Sequence, residues 1–169
     1  MTLAPAFSDF EQVYADGKAQ VIIDRIVSDL ETPVSAYLKL AARRRNAFLL
    51  ESVEGGEHLA RYSIIGVKPD AIWRAEGDTA WLNLEATSSQ DAFAKQDASP
   101  LESLKQFVDQ SRIELPTNAP PMAAGVFGYF GYDCVRQIEK LPGRPKDDLG
   151  VPDALFIRPT IVAVFGNVL

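Results

Sequence analysis

The stretch from residue 47 to residue 84 restricts the fold more than any other part of the sequence. It contains four segments rich in apolar, β-branched and aromatic residues, AFLLESVE, RYSIIGV, AIWRAE and TAWLNL. Gly55-Gly56 separates the first two and Gly77-Asp78 the last two, and both dipeptides favour turns between paired strands. The pattern predicts a meander of antiparallel strands, in which Trp73 and Trp81 face each other across the second hairpin as core aromatics.

Three segments carry the signals of helix starts. Ser8 and Glu11 match a capping box before an apolar repeat at helical spacing, which Gly17 ends. Thr32-Pro33 supplies an N-cap and a first-turn proline for a helix that continues to about Arg43. Ser99-Pro100 does the same for a helix to about Ser111, which is the clearest helical pattern of the chain.

The remaining apolar segments predict further strands. These are QVIIDRIV at residues 20–27, AAGVFGYFGYD at residues 123–133 and ALFIRPTIVAVF at residues 154–165. The second should be buried, with neighbouring backbone close to Gly125, Gly128 and Gly131. A short helix is predicted over Asp133 to Glu139. The order of elements indicates an α+β fold, an antiparallel sheet or sandwich with helices packed on it.

Composition limits the classes of partner. Twenty-three acidic and 17 basic side chains give a net charge of −6, so the chain has no positive field to attract nucleic acid or an anionic membrane surface. Its 169 residues fit one domain, and no apolar run reaches the ~20 residues that span a bilayer. A single cysteine, Cys134, and no signal-peptide pattern indicate a cytoplasmic protein.

No catalytic or metal-binding set can be assembled from residue types. The only histidine, His58, lies beside the Gly-Gly turn in a charged stretch, which is typical of a surface residue and leaves Cys134 without an evident base. Glu51, Glu54 and Glu57 recur every third residue and therefore do not share one side of an extended strand. We predict neither catalytic residues nor a metal site in this chain.

One polar pair is unusual for its surroundings. Glu51 and Ser52 interrupt the apolar strand pattern of FLLESVE, and a carboxylate buried there would need a cation or hydrogen-bond donors. The ammonium group of a ligand would satisfy it. An internal partner such as Arg61 would serve equally well, so the residues alone leave both interpretations open.

Two blocks resemble a known family. LLESVEGGEHLARYSIIG at residues 49–66 and PMAAGVFGYFGYD at residues 121–133 are similar to the N-terminal region of anthranilate synthase component I, a chorismate-utilising enzyme. The helix start in DLETPVSAYLKL resembles the same family. Gly166 departs from the aspartate expected at that position.

The resemblance implies a role outside catalysis for this chain. Residues 1–169 would be the N-terminal domain of an enzyme, a lyase that converts chorismate and ammonia into anthranilate and pyruvate in tryptophan biosynthesis. The chorismate site and Mg²⁺ would belong to a later domain, so this fragment alone would be inactive. Ammonia would come from a glutamine amidotransferase subunit, component II. The LLES element would place Leu50, Glu51 and Ser52 in the site for the feedback inhibitor tryptophan, and the isolated fragment would self-associate.

Two other interpretations stay open from the sequence. One is the N-terminal domain of aminodeoxychorismate synthase component I, which belongs to the same superfamily. The other is a stand-alone amino-acid-binding module.

Overall fold

The computed structural model describes residues 3–41, 43–51, 62–117, 119–120, 122–143 and 146–166. The helices in these ranges are α1 (Phe7–Ala15), α2 (Pro33–Ala41) and α3 (Pro100–Gln110), together with a 3₁₀ helix (Tyr132–Gln137). The strands are β1 (Phe48–Glu51), β2 (Tyr62–Glu76), β3 (Thr79–Asn83), β4 (Ala94–Lys95), β5 (Phe127–Phe130) and β6 (Ala154–Gly166). They form one sheet in the order β4-β3-β2-β6-β5, with β1 paired to β2. The α+β antiparallel class is therefore confirmed.

The predicted helices exist, and the short one predicted over Asp133 to Glu139 is the 3₁₀ helix Tyr132–Gln137, but one predicted cap is wrong. The N-cap of α1 is Ala6 and carries no side-chain hydrogen bond, because Ser8 already lies inside the helix. At the other end Gly17 adopts a positive φ of 68°, and the amide of Lys18 donates to the carbonyl of Val13 at 3.2 Å. This is the glycine-terminated helix end that the sequence predicts.

The predicted strand at residues 20–27 is wrong. Only an isolated bridge forms there, in which Ala4 and Ile23 exchange two backbone hydrogen bonds of 2.9 and 2.7 Å. Ile26 and Val27 are exposed. A β-branched run needs a neighbouring strand to become part of a sheet, and no named strand in the described part of the chain pairs with this one.

The predicted hairpin around Gly77 is confirmed, but the tryptophan pairing is wrong. Strand β2 is one 15-residue strand that covers two of the predicted segments, and it pairs with β3 so that Trp73 lies opposite Leu82 and Arg74 opposite Trp81. Because successive side chains alternate between faces, the two tryptophans lie on opposite faces. Trp73 is buried, and the Arg74 guanidinium lies 5.4 Å from the centre of the Trp81 ring.

Residue contacts divide the chain into two compact units. Unit 1 comprises residues 1–68, 112–125 and 160–169, and unit 2 comprises residues 69–111 and 126–159. The core of unit 1 contains Ala36, Ala41, Ile65 and Val67, with Tyr37, Ala47, Leu49, Ala163 and Phe165 packed around them. The expectation of one domain over residues 1–169 stays a prediction.

The core of unit 2 forms between the sheet and α3. Its buried residues are Ala71, Trp73, Ala75, Ala80, Leu104, Phe107 and Ala154. Trp73 Nε1 donates to the Ser103 hydroxyl at 2.9 Å, so the buried indole is satisfied by α3. Arg158 on β6 donates through Nε and Nη2 to both carboxylate oxygens of Asp70 on β2, at 2.8 and 3.1 Å.

Strand β5 is less buried than predicted. Tyr129 is 42% and Phe130 55% exposed, because among the described strands β5 has a neighbour only on its β6 side. Close backbone approach is confirmed at Gly128 and Gly131 and is absent at Gly125, where an added Cβ would meet no atom within 4 Å. None of the described helices is long and apolar enough to cross a membrane.

Candidate functional site

The candidate site lies at the end of β1 in unit 1. Phe48↔Gly66 is the first residue pair between β1 and β2, and the Phe48 ring occupies the space that a side chain at residue 66 would need. Leu49 then pairs with Ile65 and packs on the core of unit 1. These contacts fix the register of β1, and with it the position of the residues that follow.

Leu50 and Glu51 are the last residues of β1 and point to opposite faces of the strand. Leu50 pairs with Ile64, whereas Glu51 pairs with Ser63 on the face that also carries Leu49 and Ile65. A ligand could contact both side chains only where the strand ends. The predicted third residue, Ser52, lies outside the described residues.

The expectation of a buried carboxylate at Glu51 is wrong. Glu51, the last residue of β1, is exposed, and Leu50 is 50% exposed. The Glu51 carboxylate therefore needs no internal cation for its solvation. Its surface position leaves the carboxylate accessible to a cationic group from outside the unit.

The neighbour of Glu51 was not predicted from the sequence. Ser63 lies directly across from Glu51 and is only 3% exposed. The alternation Ser63, Ile65, Val67 could have assigned Ser63 to the core face of its strand. Its pairing with Glu51 depends on the β1–β2 register, which the sequence pattern does not fix.

The other residues considered for chemistry form no reactive set where the structure describes them. The Cys134 thiol donates to the Asp153 carbonyl oxygen at 3.0 Å, and burial together with the nearby Asp153 carboxylate raises the pKa of Cys134. A thiol with a raised pKa is a poor nucleophile at neutral pH. His58, Glu54 and Glu57 lie outside the described residues.

No group of three or more His, Cys, Asp or Glu side chains among the described residues could hold a metal ion. The adjacent acidic residues Asp147 and Asp148 have local partners. Asp147 Oδ1 accepts from the amides of Leu149 and Gly150 at 3.0 Å each, and Asp148 lies 3.0 Å from the Lys146 ammonium. These contacts are those of an ordinary turn.

The sequence is similar to named proteins over most of its own length. The chain is 47% identical over 163 residues to anthranilate synthase component 1 of Cereibacter sphaeroides. The aligned region covers 96% of this chain and 33% of that protein. The chain is homologous to anthranilate synthase component I. The enzyme named component 1 in Thermus thermophilus is 43% identical over 141 residues, covering 83% of this chain and 28% of that protein. No protein-family model matches the sequence.

A solved structure shows the same relationship. The crystal structure of anthranilate synthase component I from Streptococcus pneumoniae TIGR4 matches with a TM-score of 0.52 and 25% identity, covering 86% of this chain and 29% of that one. The family resemblance carried by the LLESVEGGEHLARYSIIG and PMAAGVFGYFGYD blocks is thus confirmed. The chain spans about a third of the length of the component I relatives it matches.

Proposed function

We propose that this chain is the N-terminal domain of an anthranilate synthase component I and that it contributes to the tryptophan feedback site of that enzyme. The observation that carries the proposal is the 47% identity over 163 residues to a protein named anthranilate synthase component 1. In the intact enzyme, chorismate and ammonia would give anthranilate and pyruvate for tryptophan biosynthesis. Mg²⁺ and chorismate would be bound by residues outside this chain, and an amidotransferase subunit, component II, would supply the ammonia.

The inhibitor site would include Leu50, Glu51 and Ser52. The position of Glu51 at an exposed strand end supports this, since its carboxylate can accept hydrogen bonds from the α-ammonium group of tryptophan. Leu50 is half exposed and offers apolar surface to the indole ring. The two side chains leave the strand on opposite faces, so the ligand would lie across the end of β1, where Ser52 follows.

Substitution of Glu51 tests the proposed site. In the intact enzyme, Glu51→Ala should raise the inhibition constant of tryptophan ten- to a hundredfold, because a charge-assisted hydrogen bond contributes about 1.5–3 kcal/mol. Turnover of chorismate should change little, since inhibition requires only that the ligand favour one state. Ser52→Phe should also weaken inhibition by filling the site. Initial rates of anthranilate formation over a tryptophan series measure both quantities.

Glu76→Ala is the matched control. Glu76 is also exposed and is also the last residue of its strand, but it belongs to unit 2 and pairs with Thr79. This variant should keep the wild-type inhibition curve. If Glu51→Ala and Ser52→Phe both keep that curve as well, tryptophan binds elsewhere and the proposed site is wrong.

The 169-residue chain alone should form no anthranilate. Among the residues that the structure describes, no group of His, Cys, Asp or Glu side chains could hold a metal ion, and the homologous proteins are about three times as long. Incubation with chorismate, Mg²⁺ and ammonia, followed by anthranilate fluorescence, measures this. Turnover above that of a buffer blank would contradict the proposal. With the intact enzyme, the same assay distinguishes anthranilate from the para-isomer that an aminodeoxychorismate synthase would lead to.

A further inference from the structure

Arg74 on β2 is held differently from the other described arginines of unit 2. Arg136 and Arg158 each donate three hydrogen bonds to oxygen atoms of their neighbours, at 2.7–3.3 Å. The Arg74 guanidinium donates none to any residue that the structure describes, and its Nε is buried without a partner. Glu76 Oε1 lies 3.9 Å from Arg74 Nη1, which is too long for a hydrogen bond. Since 35% of the Arg74 side chain is exposed, its remaining N–H donors are accessible from outside.

Two aromatic rings fix the position of this guanidinium. Its central carbon lies 5.4 Å from the centre of the Trp81 ring and 4.4 Å from the centre of the Phe93 ring. Cation–π contacts at these distances are attractive and leave the N–H donors of arginine free. They also restrict the rotamers of the side chain, so less side-chain entropy remains to be lost when a partner binds. Arg74 is therefore a cation that is already positioned and still has donors to offer.

A second cation lies on the same face of the sheet. Arg74 pairs with Trp81 between β2 and β3, and Trp81 pairs with Lys95 between β3 and β4. Directly opposed residues of antiparallel strands share a face, and neighbouring strands are about 4.8 Å apart, so the backbones of Arg74 and Lys95 are about 10 Å apart. Lys95 is exposed. Trp73, the residue before Arg74, belongs to the core with α3, so this face is the one that points away from α3.

We propose that Arg74, Trp81, Phe93 and Lys95 form a docking surface for an acidic segment of a protein partner. Carboxylates of that segment would accept hydrogen bonds from the guanidinium and the ammonium group, and apolar atoms between them would pack on the Trp81 ring. Arginine, tryptophan and phenylalanine are enriched where proteins bind each other, and arginine matches the geometry of a carboxylate. Two cations around an aromatic ring stand out in a chain with a net charge of −6, and they favour a partner of opposite charge. The inference does not depend on the tryptophan site, whose residues belong to unit 1.

A fluorescently labelled oligoglutamate peptide tests the docking surface with the 169-residue chain. Arg74→Gln should raise the dissociation constant of the peptide about tenfold, because a charge-assisted hydrogen bond is lost. Lys95→Gln should raise it about threefold, since an exposed ion pair contributes less. Binding should weaken as the salt concentration is raised, because salt screens exposed charges. Fluorescence anisotropy measures all of these values.

Lys105→Gln is the matched control. Lys105 is exposed on α3, and its replacement changes the net charge by the same amount as the other two substitutions. This variant should bind the peptide as tightly as the wild-type chain does. An oligoglutamine peptide with the same label is the control for the ligand and should not bind.

Circular dichroism shows whether each variant is folded. If Arg74→Gln does not fold, Lys95→Gln decides, because the exposed Lys95 side chain is not part of the core. The proposal is overturned if the wild-type chain does not bind the peptide, or if the three variants, the control included, lose binding equally. Tighter binding of an oligothymidine than of the peptide would assign the surface to nucleic acid and would also overturn the proposal.

Discussion

At the scale of single residues, Gly128 is the position where the backbone leaves least room. An added Cβ would overlap the Leu155 carbonyl oxygen of the paired strand and lie 2.7 Å from Phe156 Cα. Both atoms are backbone, so neither can move aside by a rotamer change. Gly128→Ala should therefore lower the free energy of unfolding by about 1–3 kcal/mol, as overpacking does elsewhere.

Urea unfolding followed by tryptophan fluorescence measures this loss. Gly166→Ala is the matched control, since an added Cβ there approaches only a Tyr62 side-chain atom, at 4.0 Å. We expect the free energy of unfolding of the control variant to remain within about 0.5 kcal/mol of the wild-type value, as is usual for surface substitutions. Equal stability of the two variants would show that β5 shifts freely against β6.

Residue-scale predictions from the sequence were right in part, and the predicted close approach at Gly125 was wrong. The glycines of the aromatic segment correctly indicated close backbone approach at Gly128 and Gly131. The prediction that Glu51 is buried was wrong, because the exposure of this residue depends on where β1 ends. The prediction that the two tryptophans face each other was also wrong, since a register shift of one residue moves a side chain to the other face of the sheet.

At the scale of elements, the N-terminus of α2 shows how a short helix is stabilised. The Ser35 amide donates to the Thr32 hydroxyl at 3.1 Å, and the Thr32 amide donates to the Ser35 hydroxyl at 2.9 Å. Ser35 also donates to Glu31 at 2.7 Å, and Lys39 pairs with the same carboxylate. The hydrogen bonds from Lys39 and Ser35 hold the pKa of Glu31 below its ordinary value.

Removal of the Thr32 hydroxyl should destabilise α2. We expect Thr32→Ala to lower the free energy of unfolding by about 1 kcal/mol, the usual contribution of an N-cap. Thr32→Ser keeps the hydroxyl and should lower the free energy of unfolding much less. Urea unfolding of the three proteins provides the comparison. A serine variant as unstable as the alanine variant would indicate that the threonine methyl group, rather than the hydrogen bond, is responsible.

Helices and strands differed in how well the sequence predicted them. The caps, prolines and terminal glycines of helices act within a few residues, and all four predicted helical segments exist, the last of them as a 3₁₀ helix. Strands need partners that are distant in sequence. For that reason QVIIDRIV remained outside the named strands despite its composition, and β4, with only two residues, was not predicted. The Leu50, Glu51 and Ser52 assignment came from the family resemblance and stays a prediction.

At the scale of the whole molecule, each compact unit is built from segments that are far apart in sequence. Strands β2 and β6 contribute residues to both units, and the division falls after Lys68 in one strand and after Pro159 in the other. Periodicity identifies apolar segments but not the unit in which each one is buried. The sequence could therefore predict the α+β class and could not predict this division.

Unit 2 also exposes apolar surface around β5. Tyr132 is 86%, Ile138 76% and Phe130 55% exposed, and β5 is at the edge of the described sheet. Unpaired edge strands recruit other strands, and large apolar patches are rarely left bare on soluble monomers. The net charge of −6 opposes association, but salt at physiological strength screens charges beyond about 8–10 Å, whereas it does not weaken apolar burial.

We therefore expect the 169-residue chain to self-associate through the β5 edge. Light scattering over a concentration series should show a mass that rises above that of the 18.5 kDa monomer. Phe130→Lys should shift the equilibrium toward monomer, because an edge lysine must be desolvated when a second strand pairs beside it.

Phe7→Lys is the matched control, since Phe7 is 75% exposed on α1 of unit 1, and its replacement should leave association unchanged. A strictly monomeric wild-type chain at hundreds of micromolar that binds no hydrophobic dye would contradict the prediction. Equal effects of the two lysine variants would place the contact elsewhere than β5.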